Sequence, residues 1–281
     1  MMGRWERCRI LWRAGAIAQV LTTYGGFRVE VLTSPEETMA RSIAAKLKEF
    51  FQVRAKGQEA LLFFSGHGFP LVDEFGEVEA FLAPSDCVVE WGTEGKAIGQ
   101  RNGLSLRSVS ALAARAELSN LVMLLDCCHS GYLLEEALLK QTFASFIQKD
   151  YWLMTACRSF ESAWAKRSEH YSVFTGAVLA GLAIDRSDEL GAISVGELFA
   201  FIPKALKGEP QEVMQLAIGR PIELVRYPLA TVADSIASTL QMTTPYQGLN
   251  AFTAETRKFS LGAIGKFKRW CRKYRIANSC L

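Results

Sequence analysis

The sequence predicts an α/β protein built on a layered, mostly parallel sheet, and three observations carry that expectation. Short apolar runs without an internal charge, "ALLFF" (60–64), "LVMLL" (121–125) and "YWLMTAC" (151–157), read as strands buried on both faces. Segments of helical length, several with capping residues, lie between and around them. Strands alternating with helices imply βαβ units and hence parallel pairing.

Each element has its own local reason. Residues 9–23 show a helical apolar rhythm (Ile10, Leu11, Ala14, Ile17, Ala18, Leu21) that stops at Gly25-Gly26. "FRVEVL" (27–32) alternates as a strand does. A helix over 34–51 is signalled by Ser34 as N-cap, Pro35 at the first helical position and Glu37 three residues after the cap. "ALLFF" is bounded by Gly57 and by "SGHG". A strand or hairpin is expected over 75–84, and a capped helix over 105–116. After the strands at 121–125 and 151–157 come helices at 171–184 and 194–206 and a late strand at 221–227. No repeat and no low-complexity segment interrupts this order.

At 281 residues the chain can bury one large core or two small ones, and an apolar share of 49% belongs to a globular protein. The longest apolar-leaning stretch, 174–184, has 11 residues, where a membrane span needs roughly 20. No span is expected. Glu6 and Arg13 interrupt any signal-peptide core in the Arg-rich start. Seven cysteines, an odd number without a secreted-scaffold spacing, suit a reducing compartment, so a cytoplasmic location is expected. The net charge of +3 is uneven: eight Lys/Arg fall within 257–275, leaving 24 basic against 29 acidic residues elsewhere. The body therefore gives no sign of a nucleic-acid-binding protein.

The chemistry gathers at two strand ends. "LLFFSGHG" delivers His67, and "LVMLLDCCHSG" delivers Cys127 and Cys128. Sites in open parallel sheets form beyond the carboxyl ends of strands, so both stretches would face one crevice. A thiol with a pKa of about 8.5 is mostly protonated at neutral pH, and a nearby imidazole raises its thiolate fraction. The same imidazole can then protonate a leaving amine. Gly68 and Gly131, beside the reactive residues, allow close approach of substrate. Taken alone, the cysteine pair is open to three readings: nucleophile, metal ligand or inert core thiol. Zinc suits it least, because adjacent cysteines lack CxxC spacing and no second pair lies nearby.

Taken in order, "FFSGHG", "DCCHSG" (61 residues on, from His67 to Cys128), "TAC", "FTGAVLAGL" and "ISVGELFAF" resemble a caspase-like cysteine peptidase. The likeness is to the metacaspase and bacterial orthocaspase branch, whose nucleophile segment reads D-x-C-x-[SG]-G. The resemblance implies a caspase-like three-layer α/β/α sandwich and an endopeptidase cutting protein substrates after Arg or Lys. It assigns His67 as base and acid, Cys128 as nucleophile, and the backbone N–H groups of Gly68 and Cys128 as the oxyanion hole. Donors of that kind are worth roughly 3–4 kcal/mol of barrier. Cys127 falls in the variable slot. Asp126 matches the aspartate that pairs with a basic substrate residue, the plainer alternative being a cap on the strand-end turn. Asp86, in "APSD", either lines the cleft or serves turn chemistry, and Ser159 and Glu161 fall on the family loop beside the specificity pocket. His129 is read as a turn residue, and His170, among charges, as a solvated one. No organic cofactor is implied. Calcium activates some relatives, and no calcium loop is spelled out here.

The resemblance covers about 16–227 and departs from the family at the front. Nothing upstream reads as the family's first, central strand, so that strand is expected to be missing unless "CRILW" (8–12) substitutes, and Arg13 falls near an expected acid. A truncated or inactive caspase-like interaction module, or a regulatory fragment of a larger signalling protein, is therefore the alternative function. The domain is expected over 1–228, N-terminally incomplete, with a linker and basic tail over 229–281. "TPYQGLNAFTAETRKFSLG" resembles the entry of a signalling NTPase domain, but no Walker A motif follows, so no nucleotide binding is inferred. The tail would suit acidic partners or a membrane surface, a solvated remnant being the alternative. Lys140 and Lys149 lie between Cys128 and Tyr151, where self-cleavage would fall.

Overall fold

The structure, a computed structural model, describes residues 4–93, 96–127, 150–156, 171–209 and 211–228. In chain order it begins with helix α1 (Arg4–Tyr24) and helix α2 (Ala40–Glu49), the latter continued by a π-type turn (Phe50–Arg54). Strands β1 (Glu59–Ser65), β2 (His67–Val72), β3 (Val78–Ala83), β4 (Val88–Trp91), β5 (Ala97–Arg101) and β6 (Leu104–Ser105) follow, then helix α3 (Leu106–Arg115). Strands β7 (Asn120–Asp126) and β8 (Asp150–Thr155) precede helix α4 (Val173–Gly181). Strand β9 (Ala192–Ser194), helix α5 (Val195–Ala205) and strands β10 (Met214–Ile218) and β11 (Glu223–Arg226) complete the order.

The central sheet runs β1-β7-β8-β10. β1, β7 and β8 are mutually parallel, and β10 closes one side antiparallel to β8. β7 lies inside the sheet and is buried along its whole length, which is why its seven residues carry no exposed polar face. Alternate residues feed two layers. Leu121, Met123, Leu125, Cys127, Tyr151 and Leu153 join one core with Leu47, Phe51, Leu106, Val109 and Ala113 of the α2–α3 side. Trp152 points the other way and meets Phe199 of α5 edge-to-face, with ring centroids 5.2 Å apart. Helices thus flank a mostly parallel sheet, as the sequence predicts. No described helix is long and apolar enough to cross a membrane.

Two local expectations change, and the expected absence of the family's first strand holds among the described residues. "FRVEVL" forms no strand. It finds no partner among the described strands, and Glu30 instead pairs with Lys46 (2.8 Å) and with Arg54. The Lys46 ammonium, opposed by partial burial and aided by the Arg54 guanidinium, holds the Glu30 carboxyl below its ordinary range. "CRILW" lies inside α1 and supplies no strand. Consequently β1 pairs only with β7 among the described strands, and its residues Leu61–Ser65 stay half-buried. Finally, the Ser34–Glu37 box forms, with the Glu37 N–H donating to Ser34 Oγ at 3.2 Å and the Ser34 N–H to Glu37 Oε2 at 3.0 Å. It caps only a turn, and the regular helix restarts at Ala40. The late strand is present as β11, but it pairs with β9 rather than with the central sheet.

Candidate active site

Ser65, Gly66 and His67 join the central sheet to a separate sheet in which β2 pairs antiparallel with β3. β1 and β7 are in register from Glu59 opposite Asn120 to Ser65 opposite Asp126, so they end level with each other. Just past that level, the Gly66 N–H donates to the Asp126 carbonyl at 3.1 Å. A Cβ on Gly66 would sit 2.9 Å from the Phe64 ring, so the crossing favours glycine. His67 follows immediately, exposed, opposite Ala83 on β3. Gly68 comes next, opposite Leu82.

Asp126 is the last residue of β7 and is 2% exposed. Burying a carboxylate is expensive unless hydrogen bonds replace its water. Here three hydroxyls do so, all on Oδ2: Ser65 Oγ at 3.2 Å, Thr175 Oγ1 at 2.5 Å, and Ser172 Oγ. Ser172 is the N-cap of α4, and its Oγ also accepts the Thr175 N–H at 3.0 Å. The carboxylate therefore lies against the amino end of a helix, where the helix dipole favours negative charge. None of the three hydroxyls reaches Oδ1.

Cys127 is fully buried on the α2–α3 side, within the core of Leu125 and Met123. Cys128, His129, Gly131, Lys140, Lys149, Ser159, Glu161 and His170 lie outside the described residues. At the neighbouring strand end, the Ala156 N–H donates to the Leu125 carbonyl at 2.8 Å, and buried Gln211 Nε2 donates to the Ala156 carbonyl at 3.1 Å. β7 and β8 are thereby fixed together up to their ends.

Asp86 follows Ala83, the residue opposite His67, by three positions. Its Oδ1 accepts the Ala40 N–H at 2.8 Å and its Oδ2 accepts Asn102 Nδ2 at 3.1 Å. Ala40 opens α2, whose N-cap position is Met39, without a capping side chain. Asp86 thus supplies the cap from 46 residues away. The thiol of its neighbour Cys87 is pushed up, first by burial and then by the Asp86 charge. At the opposite, amino ends of β1, β7 and β8 lies a polar cavity of about 300 Å³, lined by Glu59, Asn120, Asp150 and Arg220 among others. It is remote from the His67 turn. Among the described residues no group of three or more His, Cys, Asp and Glu side chains could hold a metal ion.

Sequence reading singled out His67, Gly68 and Asp126, and the structure places them at one sheet end. It missed Ser65, Ser172 and Thr175. Ser172 and Thr175 stand at the N-cap and third position of a helix, a spacing that marks a helix start but not what the hydroxyls touch.

The family model described as the caspase domain matches residues 14–218. Among solved structures, the chain is similar to protein GSU0716 from Geobacter sulfurreducens, with a TM-score of 0.51 and 16% sequence identity. That similarity covers 77% of this chain and 87% of the other, and at such identity it speaks to the fold alone. No curated protein matches the chain.

Proposed function

Because the chain belongs to the caspase domain family, we propose that it is a cysteine endopeptidase of the metacaspase-like branch, cutting protein substrates after Arg or Lys with His67 and Cys128 as its dyad. One observation carries the reading. β1 and β7 end level at Ser65 and Asp126, two residues before His67 and Cys128 respectively, and the Gly66–Asp126 hydrogen bond ties the two ends together. The strands that precede the family's base and nucleophile in sequence thereby end side by side, as a shared crevice requires.

The chemistry follows from these positions. The Cys128 thiol gives its proton to His67, and the thiolate attacks the scissile carbonyl carbon. The N–H groups of Gly68 and Cys128 hold the resulting oxyanion. His67 then protonates the departing amine, leaving a thioester on Cys128. Water attacks that thioester as His67 takes its proton, and the acid product and free thiol are regenerated. Asp126, its Oδ2 held by three hydroxyls, offers Oδ1 to the guanidinium or ammonium of the substrate. Ser159 and Glu161 are assigned to the rim of the same pocket, and Asp86 to the scaffold. The peptidase domain is read as 1–228, with 229–281 as linker and basic tail.

Purified protein is incubated with fluorogenic peptides ending in Arg, Lys or Leu, with and without calcium, beside Cys128→Ala, Cys127→Ala and Asp126→Ala. Cleavage falls to background in Cys128→Ala, persists in Cys127→Ala, and loses its basic preference in Asp126→Ala. Full activity in Cys128→Ala defeats the reading. A second reading, a caspase-like module that binds partners without cleaving them, is favoured by the unpaired outer side of β1 among the described strands. Flat traces from every preparation select it.

A further inference from the structure

The cluster around Asp126 is more elaborate than a strand-end turn requires. Ser172 Oγ accepts the Thr175 N–H and donates its single proton to Asp126 Oδ2, while Thr175 Oγ1 donates to that same oxygen. The bonds close a ring: carboxylate, Ser172 hydroxyl, Thr175 backbone, Thr175 hydroxyl, carboxylate. Ser65 adds a third hydroxyl from β1. Each of these three hydroxyls selects Oδ2. A carboxylate rotates over a broad, two-fold torsion when nothing holds it. Recognition of a guanidinium depends on the orientation of the oxygen that meets it. A ring of this kind stops the rotation and distinguishes the two oxygens.

We propose that Ser172 and Thr175 are positioning residues for substrate selection: by gripping Oδ2 of Asp126 from the amino end of α4, they hold Oδ1 as the oxygen that receives the basic side chain. The inference rests on the Arg/Lys reading of Asp126 given above and deepens it. It also explains why two hydroxyl residues three apart open a helix whose remaining inward positions, Val173, Phe174, Ala177 and Val178, are apolar and buried. The alternative role for the ring is to dock α4 on β7 and nothing more. Docking alone would affect all substrates equally.

Four variants separate the two: Asp126→Asn, Thr175→Val, Thr175→Ser and Ser172→Gly. Valine keeps the shape of threonine without its hydroxyl, serine keeps the hydroxyl without the methyl, and glycine is tolerated at an N-cap at little cost. Cleavage is measured with peptides ending in Arg and in Leu. Binding of agmatine, a guanidinium probe independent of turnover, is measured by calorimetry. Thr175→Val and Ser172→Gly raise KM for the Arg peptide and weaken agmatine by about tenfold or more. Their kcat, and their rates on the Leu peptide, stay within about twofold of the unmodified protein, and Thr175→Ser behaves as the unmodified protein. Unchanged KM and agmatine affinity in both hydroxyl-free variants overturns the proposal, as does an equal loss on both peptides. Failure of both variants to fold, seen in thermal unfolding, also overturns it, because docking then accounts for the ring. If Asp126→Asn keeps the full Arg preference, the reading of Asp126 itself fails. If the unmodified protein neither prefers Arg nor binds agmatine, both readings fall together.

Discussion

Asp126 and Asp86 show how far a carboxylate's role can be read from its neighbours in sequence. Both follow strand-like runs and precede a cysteine, and both were candidates for substrate contact. In the fold one is buried under three hydroxyls beside the His67 turn, and the other caps α2. The difference lies in partners 46, 49 and 61 residues away, which no local pattern specifies. His67 and Gly68 stand out in one short contiguous motif and Asp126 in another. Ser65, Ser172 and Thr175 do not, since serine and threonine near helix starts and turns are common for other reasons. The capping role makes its own prediction. Asp86→Ala removes the acceptor for the Ala40 N–H and the partner of Asn102, and should cost about 1–2 kcal/mol in urea unfolding. An unchanged midpoint would show that the cap contributes nothing.

At the level of elements, hydrophobic pattern proved reliable for strands with neighbours and misleading where a neighbour was lacking. "LVMLL" became β7, buried throughout, because strands flank it on both sides. "FRVEVL" has an equally strand-like alternation yet remains without a ladder, since pairing is a property of two segments. β10 carries little strand signal because "MQLAI" is short and mixes polar with apolar residues, and the β4–β5 hairpin carries little because "VVEW" and "AIGQR" contain charge and glycine. Capping residues stand at the starts of α3 and α5. Ser105 accepts the Ser108 N–H at the start of α3, and Ser194 forms a complete capping box with Glu197 on α5. The Ser34 box closes just as well but serves a turn, leaving α2 to Asp86. Ser194→Ala should therefore destabilise the protein by about 1 kcal/mol, and Ser194→Gly by a few tenths, in chemical denaturation. Equal losses in the two variants would mean that the box does not cap α5.

For the molecule as a whole, the buried core sets a limit on the alkaline side. Tyr151 is fully buried in the sheet, and burial pushes its phenol far above the ordinary tyrosine value. Tyr227 is raised too, chiefly by burial, and its hydroxyl donates to the Leu182 carbonyl at 2.5 Å. Below about pH 10 both the folded and unfolded chains keep these protons, so stability is unaffected. Above it, the unfolded chain releases a proton at Tyr151 that the folded chain retains. Stability then falls by about 1.4 kcal/mol per pH unit for that residue. Urea unfolding of Tyr151→Phe between pH 9 and 11.5 should show a shallower decline than the unmodified protein, and a parallel decline would rule out this tyrosine as the cause. The same architecture has a kinetic consequence. Ser65 and Asp126 become neighbours only when β1 zips onto β7, a closure spanning 61 residues. Such non-local pairing is slow, because chain entropy is lost before any contact compensates for it. Until that event a nascent or partly folded chain has no shared strand end at which His67 and Asp126 could meet, so this corner of the molecule is acquired in one step, with the parallel sheet itself.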